Sequence, residues 1–366
     1  MNAIGKAASF IYFMFLLLLP ASFQAQDFRK LDAWLEDNVN DMGGRAVLMI
    51  YKDGGIVYSR AVNDMSLRNK IAGKIIARRS GRESDTRDFT TVTRLPVASC
   101  SKWFSAALVM TFVDEGRLKL TDTVGKYLPL LSRRGKGNIT LSQCLSHTTG
   151  IKAPPLKESI AEMKNVSSMD EAVEQISLLP MEGEPGKVFH YSNTGLQIAG
   201  AVIEKISGRS FESLFAERIT KPLEMKNTDF GNALVALPAG GAFSTPEDYM
   251  KFLIMILNKG SYKGKRILSE KSVEEMQINR ISPDVRTAYS PAEAGKAGYG
   301  YGEWTHGPLV PGIPVESVSS PGLFGSYPWV NNKNGYCAFL MTFYLKSDGR
   351  NERYSELRNL VDSILR

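Results

Sequence analysis

Strand-type patterns occur near both ends of this chain and helical patterns fill its middle, which restricts the possible folds more than any other feature. Residues 44–62 alternate apolar and polar side chains around Lys52-Asp53-Gly54-Gly55, a sequence typical of a hairpin turn. Residues 336–345 form an apolar, β-rich run, and residues 354–365 carry helical spacing. We therefore expect an α/β (α+β) protein whose antiparallel sheet is made from both chain ends, with flanking helices.

The middle of the chain has the spacing of helices. Apolar residues recur at helical intervals over 101–115, and Gly116 follows as a C-terminal stop. Further helices are predicted over 170–178, 194–206 and 211–219. The predicted catalytic domain spans 26–366, with 26–98 and 240–366 as the α/β sheet region and 99–239 as the inserted, mainly helical region.

Residues 1–25 have the features of a signal peptide. Lys6 precedes an apolar run over 7–19, Pro20 ends that run, and Ala25 precedes a possible cleavage point. The run is short for a membrane span, so we expect an exported protein, periplasmic or secreted, with no membrane span after cleavage. The alternative is an uncleaved N-terminal anchor, because Phe23 is large for the position it would occupy before the cut.

The charge pattern does not indicate a nucleic-acid partner. The formal net charge is +7, and some of this excess lies between Arg68 and Arg94. Aromatic residues that could stack on bases are not interleaved with them, so this stretch is predicted to be a solvated loop. The expected partner is a small-molecule or peptide-like acyl substrate, and the sequence indicates no oligomeric state.

Neither the histidines nor the cysteines have the spacing of a metal site. The three histidines and three cysteines form no zinc-type pattern, so we predict no metal and no cofactor. Cys100, Cys144 and Cys337 lie in apolar or motif-like stretches and are predicted to be buried thiols. Cys100 is the alternative nucleophile, although no histidine is paired with it locally.

The stretch Ser99-Cys100-Ser101-Lys102, directly before the first predicted helix of the middle region, has the residues of a nucleophile and its base. Residues three apart share a helix face, so the Ser99 hydroxyl and the Lys102 amine can meet. A serine hydroxyl needs a base to become a nucleophile, and a lysine can serve when burial lowers its pKa. This spacing occurs by chance in chains of ordinary composition, so it needs support from elsewhere in the sequence.

That support comes from Tyr191-Ser192-Asn193, the one Tyr-x-Asn sequence of the chain. A phenol held beside the lysine can pass the proton to a leaving group. The amide of Asn193 can orient lysine and substrate through hydrogen bonds. We therefore predict Ser99, Lys102 and Tyr191 as catalytic residues and Asn193 as an orienting residue.

With these motifs in place, the chain resembles the serine β-lactamase and penicillin-binding-protein superfamily, in particular the branch related to class C β-lactamases. Four further segments agree with that family in kind and order: residues 116–129, 145–150, 240–248 and 300–302. The resemblance covers the sequence from about Leu31 onward and implies a β-lactamase/transpeptidase-like fold. It also implies an acyl-enzyme on the serine and no cofactor.

The third motif of that family departs from the pattern here. The family usually has Lys or His, a variable residue and Gly on a strand that lines the site, whereas this chain has Ser320-Pro321-Gly322. The cation that helps to hold a substrate carboxylate is absent, although Ser320 could still hydrogen-bond a neutral substrate. The resemblance implies substrate contacts from Ser320 and Gly322 and an oxyanion hole from the backbone N–H groups of Ser99 and Leu323.

Two functions remain open from the sequence. The first is a serine hydrolase that cleaves an ester, amide or lactam, such as an esterase, peptidase or β-lactamase. The second is a catalytically weak penicillin-binding-type binding or sensing protein on the same fold. An α/β-hydrolase is excluded because the chain has no Gly-x-Ser-x-Gly sequence. His147 is predicted to fix a loop, while His190 either tunes Tyr191 or points away from it.

Overall fold

The computed structural model describes residues 27–80, 86–155, 158 and 166–366. The predicted signal peptide, 1–25, lies outside the described residues. A seven-stranded antiparallel sheet, in the order β2-β1-β13-β12-β11-β10-β9, forms the main layer. Its strands are β1 (Arg45–Lys52), β2 (Gly55–Asn63), β9 (Gly298–Tyr299), β10 (Trp304–His306), β11 (Ser317–Ser319), β12 (Tyr327–Asn331) and β13 (Tyr336–Thr342). The sheet built from both chain ends is thereby confirmed.

The hairpin β1–β2 closes through a two-residue turn. Asp53 and Gly54 both have positive φ, +49° and +88°, which is the geometry of a type I′ turn. Glycine takes this conformation without strain, which explains why the turn is located here. Strand β1 then pairs with β13 from Ala46↔Thr342 to Lys52↔Tyr336, which joins the two ends of the chain.

Helices cover both faces of this sheet and form most of the inserted region. They are α1 (Arg29–Asn38), α2 (Leu67–Ser80), α3 (Ser101–Asp114), α4 (Pro129–Arg133), α5 (Leu141–Leu145), α6 (Met169–Leu178), α7 (Thr194–Ser207), α8 (Phe211–Phe215), α9 (Pro246–Leu257), α10 (Glu270–Met276) and α11 (Arg350–Leu365). Short strand pairs complete the fold: β3 (Leu95–Pro96) with β5 (Phe243–Ser244), β4 (Val188–His190) with β8 (Arg286–Tyr289), and β6 (Ser261–Tyr262) with β7 (Lys265–Arg266). The division into domains stays a prediction.

Helix α3 is the central element of the larger core. Every residue from Ser101 to Phe112 is buried, and Gly116 follows its end with φ +69°. Its aromatic side chains pack against α9, with Phe104 and Phe252 at right angles and ring centroids 4.8 Å apart. The smaller core, on the other face of the sheet, includes residues of α1, α11 and strands β1, β12 and β13. A nucleophile placed directly before α3 is therefore held by a helix that is anchored in the larger core.

One prediction for this part of the chain was wrong. The stretch from Arg68 to Arg94 was predicted as solvated loop, whereas residues 67–80 form the helix α2. Leu67, Ile71 and Ile75 are exposed on it, so it contributes these apolar residues to the surface rather than to a core. The basic residues drew the prediction toward loop, although Lys and Arg are good helix formers. Among the described residues, no helix combines the length and apolarity needed to cross a bilayer.

Candidate active site

Ser99 lies in a single 3-10 turn, Ala98–Cys100, directly before α3. Ala98 has φ +47°, in the left-handed region that alanine rarely adopts. Its carbonyl accepts a hydrogen bond from the Ser101 hydroxyl at 2.5 Å, and that hydroxyl accepts one from the Ala242 N–H at 2.9 Å. The unusual backbone before Ser99 is thus fixed by contacts on both sides, as strained residues at functional sites commonly are.

Lys102 is in contact with Ser99, and no carboxylate among the described residues forms an ion pair with it. Its Nζ donates to Ser99 Oγ at 3.2 Å, to Asn193 Oδ1 at 3.4 Å and to the Ala239 carbonyl at 2.8 Å. Only 1% of the residue is exposed, and this burial lowers the pKa of Lys102 to about 7. A neutral amine is therefore available near physiological pH to take a proton from the Ser99 hydroxyl.

Tyr191 completes the group. Its ring lies with its centroid 4.7 Å from Lys102 Nζ. Burial raises the pKa of Tyr191, and the nearby Ser99 side chain opposes that effect only in part. The phenol is therefore protonated at neutral pH and can donate its proton. The structure brings together Ser99, Lys102, Tyr191 and Asn193, although 92 positions separate the first from Tyr191.

His147 supports this arrangement from behind. Its Nδ1 accepts from the Ser192 N–H at 3.5 Å, so Nε2 carries the hydrogen and donates to the Tyr299 hydroxyl at 3.1 Å. Burial lowers the pKa of His147 well below its ordinary value, and the positive charge of Lys102 adds to the shift. The ring is a neutral support for the Tyr191 turn, in agreement with the loop-fixing role predicted for it.

The Ser320 hydroxyl, in the third motif, is bonded to backbone. The residue is 3% exposed, and its hydroxyl donates to the backbone carbonyls of Gly302 at 3.1 Å and Ser99 at 3.4 Å. It is not among the residues that line the cavity at Ser99. Its role as a substrate-binding residue stays a prediction. Ser320 ties the sheet to the nucleophile turn.

Gly322 and Leu323 do line the cavity. The Gly322 N–H donates to the Ser326 carbonyl at 2.8 Å, which forms the turn after β11. A Cβ on Gly322 would stand 2.3 Å from the Val97 carbonyl, so only glycine lets this turn approach the residues before Ser99. The Leu323 carbonyl accepts from the buried Arg350 at 3.1 Å, which holds that residue at the wall. The oxyanion-hole role of the Ser99 and Leu323 N–H groups stays a prediction.

A cavity of about 550 Å³ opens over Ser99 and Lys102. Much of its wall is apolar, with alanines, prolines, Leu323 and Trp304 among its residues. Its polar groups, apart from those of the motifs, are Lys152, Glu182, His190, Tyr289 and Glu293. Sequence reasoning named none of Lys152, Glu182, Tyr289 and Glu293, because residues in loops far apart in the chain carry no spacing signal.

His190, whose direction the sequence left open, faces this cavity. Its Nδ1 is 2.5 Å from Glu182 Oε1, and the two side chains are 17% and 14% exposed. The parallel pairing of β4 with β8 places Tyr289 beside it, with ring centroids 5.7 Å apart. His190 therefore belongs to the wall of the site.

The cysteines are buried, as predicted. Cys100, Cys144 and Cys337 are free thiols, and burial raises the pKa of each. Cys100 Sγ lies 3.6 Å from the Ser326 carbonyl, and burial keeps its thiol protonated. The alternative of a cysteine nucleophile has no support in this geometry.

Known proteins share this arrangement of elements. The Beta-lactamase family profile matches residues 35–362. A crystal structure of a candidate β-lactamase from Bacteroides dorei DSM 17855 superposes with a TM-score of 0.75 at 27% identity, over 93% of this chain and 99% of that one. The D-alanyl-D-alanine-carboxypeptidase/endopeptidase AmpH of Escherichia coli K12 is 25% identical over 71% of this chain and 75% of its own. A candidate D-alanyl-D-alanine carboxypeptidase of the same strain is 27% identical over 58% of this chain, and the match spans only 49% of that protein.

Proposed function

Because the chain belongs to the Beta-lactamase family, we propose that it is an exported serine hydrolase that forms an acyl-enzyme on Ser99. The bond cleaved is an ester, amide or lactam. Export is proposed from residues 1–25, whose composition is that of a signal peptide. The substrate is a small-molecule or peptide-like acyl compound.

The reaction uses the three side chains in turn. Neutral Lys102 takes the Ser99 proton as Oγ attacks the carbonyl carbon, and the negative charge on the carbonyl oxygen is stabilised by backbone N–H donors. Tyr191 passes a proton to the leaving group as the bond to that group breaks, and Lys102 returns a proton to the phenol. Water then attacks the acyl carbonyl, and the same groups return a proton to Ser99 Oγ as the acid departs.

One observation carries this proposal: a buried amine with its pKa lowered to about 7 lies 3.2 Å from the hydroxyl that it would deprotonate. A lysine placed for structure alone would be expected to have a carboxylate partner, since burial of an unpaired cation is unfavourable. Lys102 instead donates to a hydroxyl, an amide and a carbonyl, all neutral. Such surroundings favour the neutral amine, which is the form that catalysis needs.

The third motif bears on the substrate. The named relatives act on D-alanyl-D-alanine, whose terminal carboxylate calls for a cation in the site. Ser320 has no charge to offer and lies outside the cavity wall. We therefore propose that esters and neutral amides are turned over faster than lactams or peptides with a free D-alanine terminus.

The proposal is tested by covalent labelling. The protein is incubated with a fluorophosphonate or a labelled penicillin, and intact mass and peptide mapping locate any adduct. We expect one adduct, on Ser99, and none in Ser99→Ala. An unmodified protein under both reagents would contradict the proposal and favour the alternative, a catalytically weak binding or sensing protein.

A turnover panel then separates the substrate classes. Short p-nitrophenyl esters, nitrocefin and D-amino-acid amides are compared on the same preparation, with Ser99→Ala as the blank. We expect ester hydrolysis to exceed nitrocefin hydrolysis. Nitrocefin as the fastest substrate would show that the missing cation at position 320 does not limit lactam turnover.

A further inference from the structure

The Glu182–His190 pair lies in the wall of the Ser99 cavity and has no part in the acyl-transfer steps above. Glu182 Oε1 and His190 Nδ1 are 2.5 Å apart, and both side chains face the cavity with about one sixth of their surface exposed. Each is therefore largely enclosed, yet accessible to a molecule bound over Ser99. A polar pair in a wall that is otherwise largely apolar is typical of a specificity element.

The backbone holds both residues in place. The His190 N–H donates to the His147 carbonyl at 2.9 Å. The Glu182 N–H donates to the Gly150 carbonyl at 2.8 Å, and the Glu182 carbonyl accepts from the Arg286 guanidinium at 3.1 Å. The pair is therefore oriented before a substrate arrives, which reduces the entropy lost on binding.

The chemistry of the pair defines what it can bind. An ionised carboxylate only accepts hydrogen bonds, so His190 Nδ1 carries the hydrogen of their bond. Such a carboxylate has about four acceptor sites, so Glu182 keeps others for a bound molecule beside the one that His190 uses. The pair thus presents a lone pair backed by negative charge, which suits an N–H donor that carries positive charge.

The other charged groups of the cavity are less suited than Glu182 to bind a positively charged donor. Glu293 Oε1 is 3.1 Å from the guanidinium of Arg350, which is 1% exposed, so that carboxylate already has a cation. Lys152 is exposed at the cavity mouth, where water can solvate its ammonium. Lys102 is the buried base. The described residues of the cavity wall include two carboxylates, Glu182 and Glu293. Glu293 is paired with the permanent cation Arg350, whereas Glu182 is paired with the His190 imidazole.

We propose that the Glu182–His190 pair binds a primary ammonium on the acyl group, so that the preferred substrates are amino-acyl esters or amides. This inference rests on the proposed function, because the acyl group is the part of the substrate that stays on Ser99 beside the wall. It also agrees with the absence of a cation at Ser320, since the site then selects for positive and not negative charge.

The test uses three p-nitrophenyl esters of matched length: the esters of 6-aminohexanoic acid, of heptanoic acid and the monoester of adipic acid. We expect kcat/KM to be at least about tenfold higher for the ammonium ester than for heptanoate, as for a charge-assisted hydrogen bond, with the adipate ester lowest. In Glu182→Gln and His190→Phe the ratio of ammonium ester to heptanoate should fall to near one. Glu184→Gln, the same change two residues away on a side chain outside the cavity wall, should keep the wild-type ratio.

Three results would overturn the proposal. The first is an equal rate for the ammonium and heptanoate esters. The second is a preference for adipate that disappears in Lys152→Met, which would assign recognition to that cation. The third is an equal slowing of all esters in Glu182→Gln with acyl-enzyme accumulating by mass, which would place the pair in the hydrolysis step and not in recognition.

Binding to Ser99→Ala keeps this test independent of turnover. Calorimetry compares 6-aminohexanamide with heptanamide, and we expect the ammonium compound to bind at least about tenfold more tightly. Equal affinity would count against the pair as an ammonium site. Failure of the proposed function would appear differently, as the absence of both ester turnover and a Ser99 adduct in the wild-type protein.

Discussion

The chemistry of the site depends at the residue scale on how one amine is buried. Lys102 has a pKa of about 7 because burial disfavours its charged form, and its neutral neighbours do not restore it. We expect kcat/KM for a neutral ester to rise about tenfold per pH unit below pH 7 and to level off above it, because only the neutral amine accepts the proton. Tyr191 should not change this pH–rate profile near neutral pH, because burial raises its pKa and the phenol stays protonated there. Stopped-flow acylation between pH 5 and 9 measures this profile.

Two variants test whether the rise in kcat/KM below pH 7 comes from Lys102. His190 lines the same cavity, so the profile is repeated in His190→Phe, where the limb near pH 7 should persist. Lys102→Arg keeps the positive charge but cannot lose it in this pH range, so acylation should fall by several orders of magnitude at every pH. A limb that vanished in His190→Phe would contradict the role of Lys102 as base.

Individual residues also show where sequence reasoning succeeds. Ser99, Lys102 and Tyr191 meet as predicted because motif spacing and a local helix determine the first two, and the one Tyr-x-Asn sequence of the chain indicated the third. The sequence did not indicate that Ser320 donates to backbone carbonyls, because the motif pattern describes position along the chain and not the direction of a hydroxyl. Glu182 carried no signal, since a carboxylate in a loop contacts His190 only through tertiary structure.

At the scale of secondary-structure elements, the turn after β11 approaches the nucleophile turn closely because the residue at the contact, Gly322, has no side chain. Gly322, in the turn after β11, passes so near the nucleophile turn that a Cβ would stand 2.3 Å from the Val97 carbonyl and 3.0 Å from Cys100 Sγ. We expect Gly322→Ala to push the turn of Leu323 away from Ser99 and to lower kcat/KM at least about a hundredfold, as small misplacements of catalytic groups do. Ester kinetics and thermal unfolding, measured together, separate this effect from loss of the fold.

Gly55 supplies the matched control for that substitution. It lies at the start of β2 with open space around the position of its Cβ. Gly55→Ala should therefore leave both kinetics and unfolding close to wild type. Equal activity of the Gly322→Ala and Gly55→Ala proteins would show that the close approach of the turn does not control the site.

The sequence predicted some secondary-structure elements and missed others. The β1–β2 hairpin followed from alternation around a glycine turn, and α3 followed from its apolar spacing, because both are local properties. Helix α2 was missed although Leu67, Ile71 and Ile75 recur at helical spacing, because the basic residues around them were interpreted as a solvated loop. The pairing of β4 with β8 was also beyond reach, since two short strands pair only when the surrounding chain has folded.

At the scale of the whole molecule, the site lies where the mainly helical region meets the sheet, and this junction includes a buried acid. Glu303, directly before β10, has no exposed surface, and its burial raises the pKa of the carboxyl well above the ordinary value. Neither carboxyl oxygen has a hydrogen-bond partner among the described residues, and the nearby Trp103 indole, from α3, opposes the shift only in part. The folded chain therefore keeps this proton at a pH where the unfolded chain has released it.

Proton linkage determines whether the raised pKa of Glu303 increases or decreases stability as the pH changes. Below the ordinary pKa of a glutamic acid, both states hold the proton and Glu303 has no pH-dependent effect. As pH rises above that value, the unfolded state gains from losing the proton, so stability falls by up to about 1.4 kcal/mol per pH unit until the folded carboxyl also ionises. Glu303→Gln removes the ionisable group but keeps the shape, so the stability of the variant relative to wild type should increase between pH 5 and 8.

Thermal unfolding midpoints at pH 5, 6, 7 and 8 test this expectation through their pH dependence, so that any fixed effect of the buried amide cancels. Glu356→Gln, on the exposed side of α11, is the control and should run parallel to wild type. A constant offset between Glu303→Gln and wild type across the range would mean that Glu303 ionises alike in both states. We expect the gap to widen because the Glu303 carboxyl is buried between α3 and β10. Water can reach this carboxyl only if the junction beneath Ser99 opens.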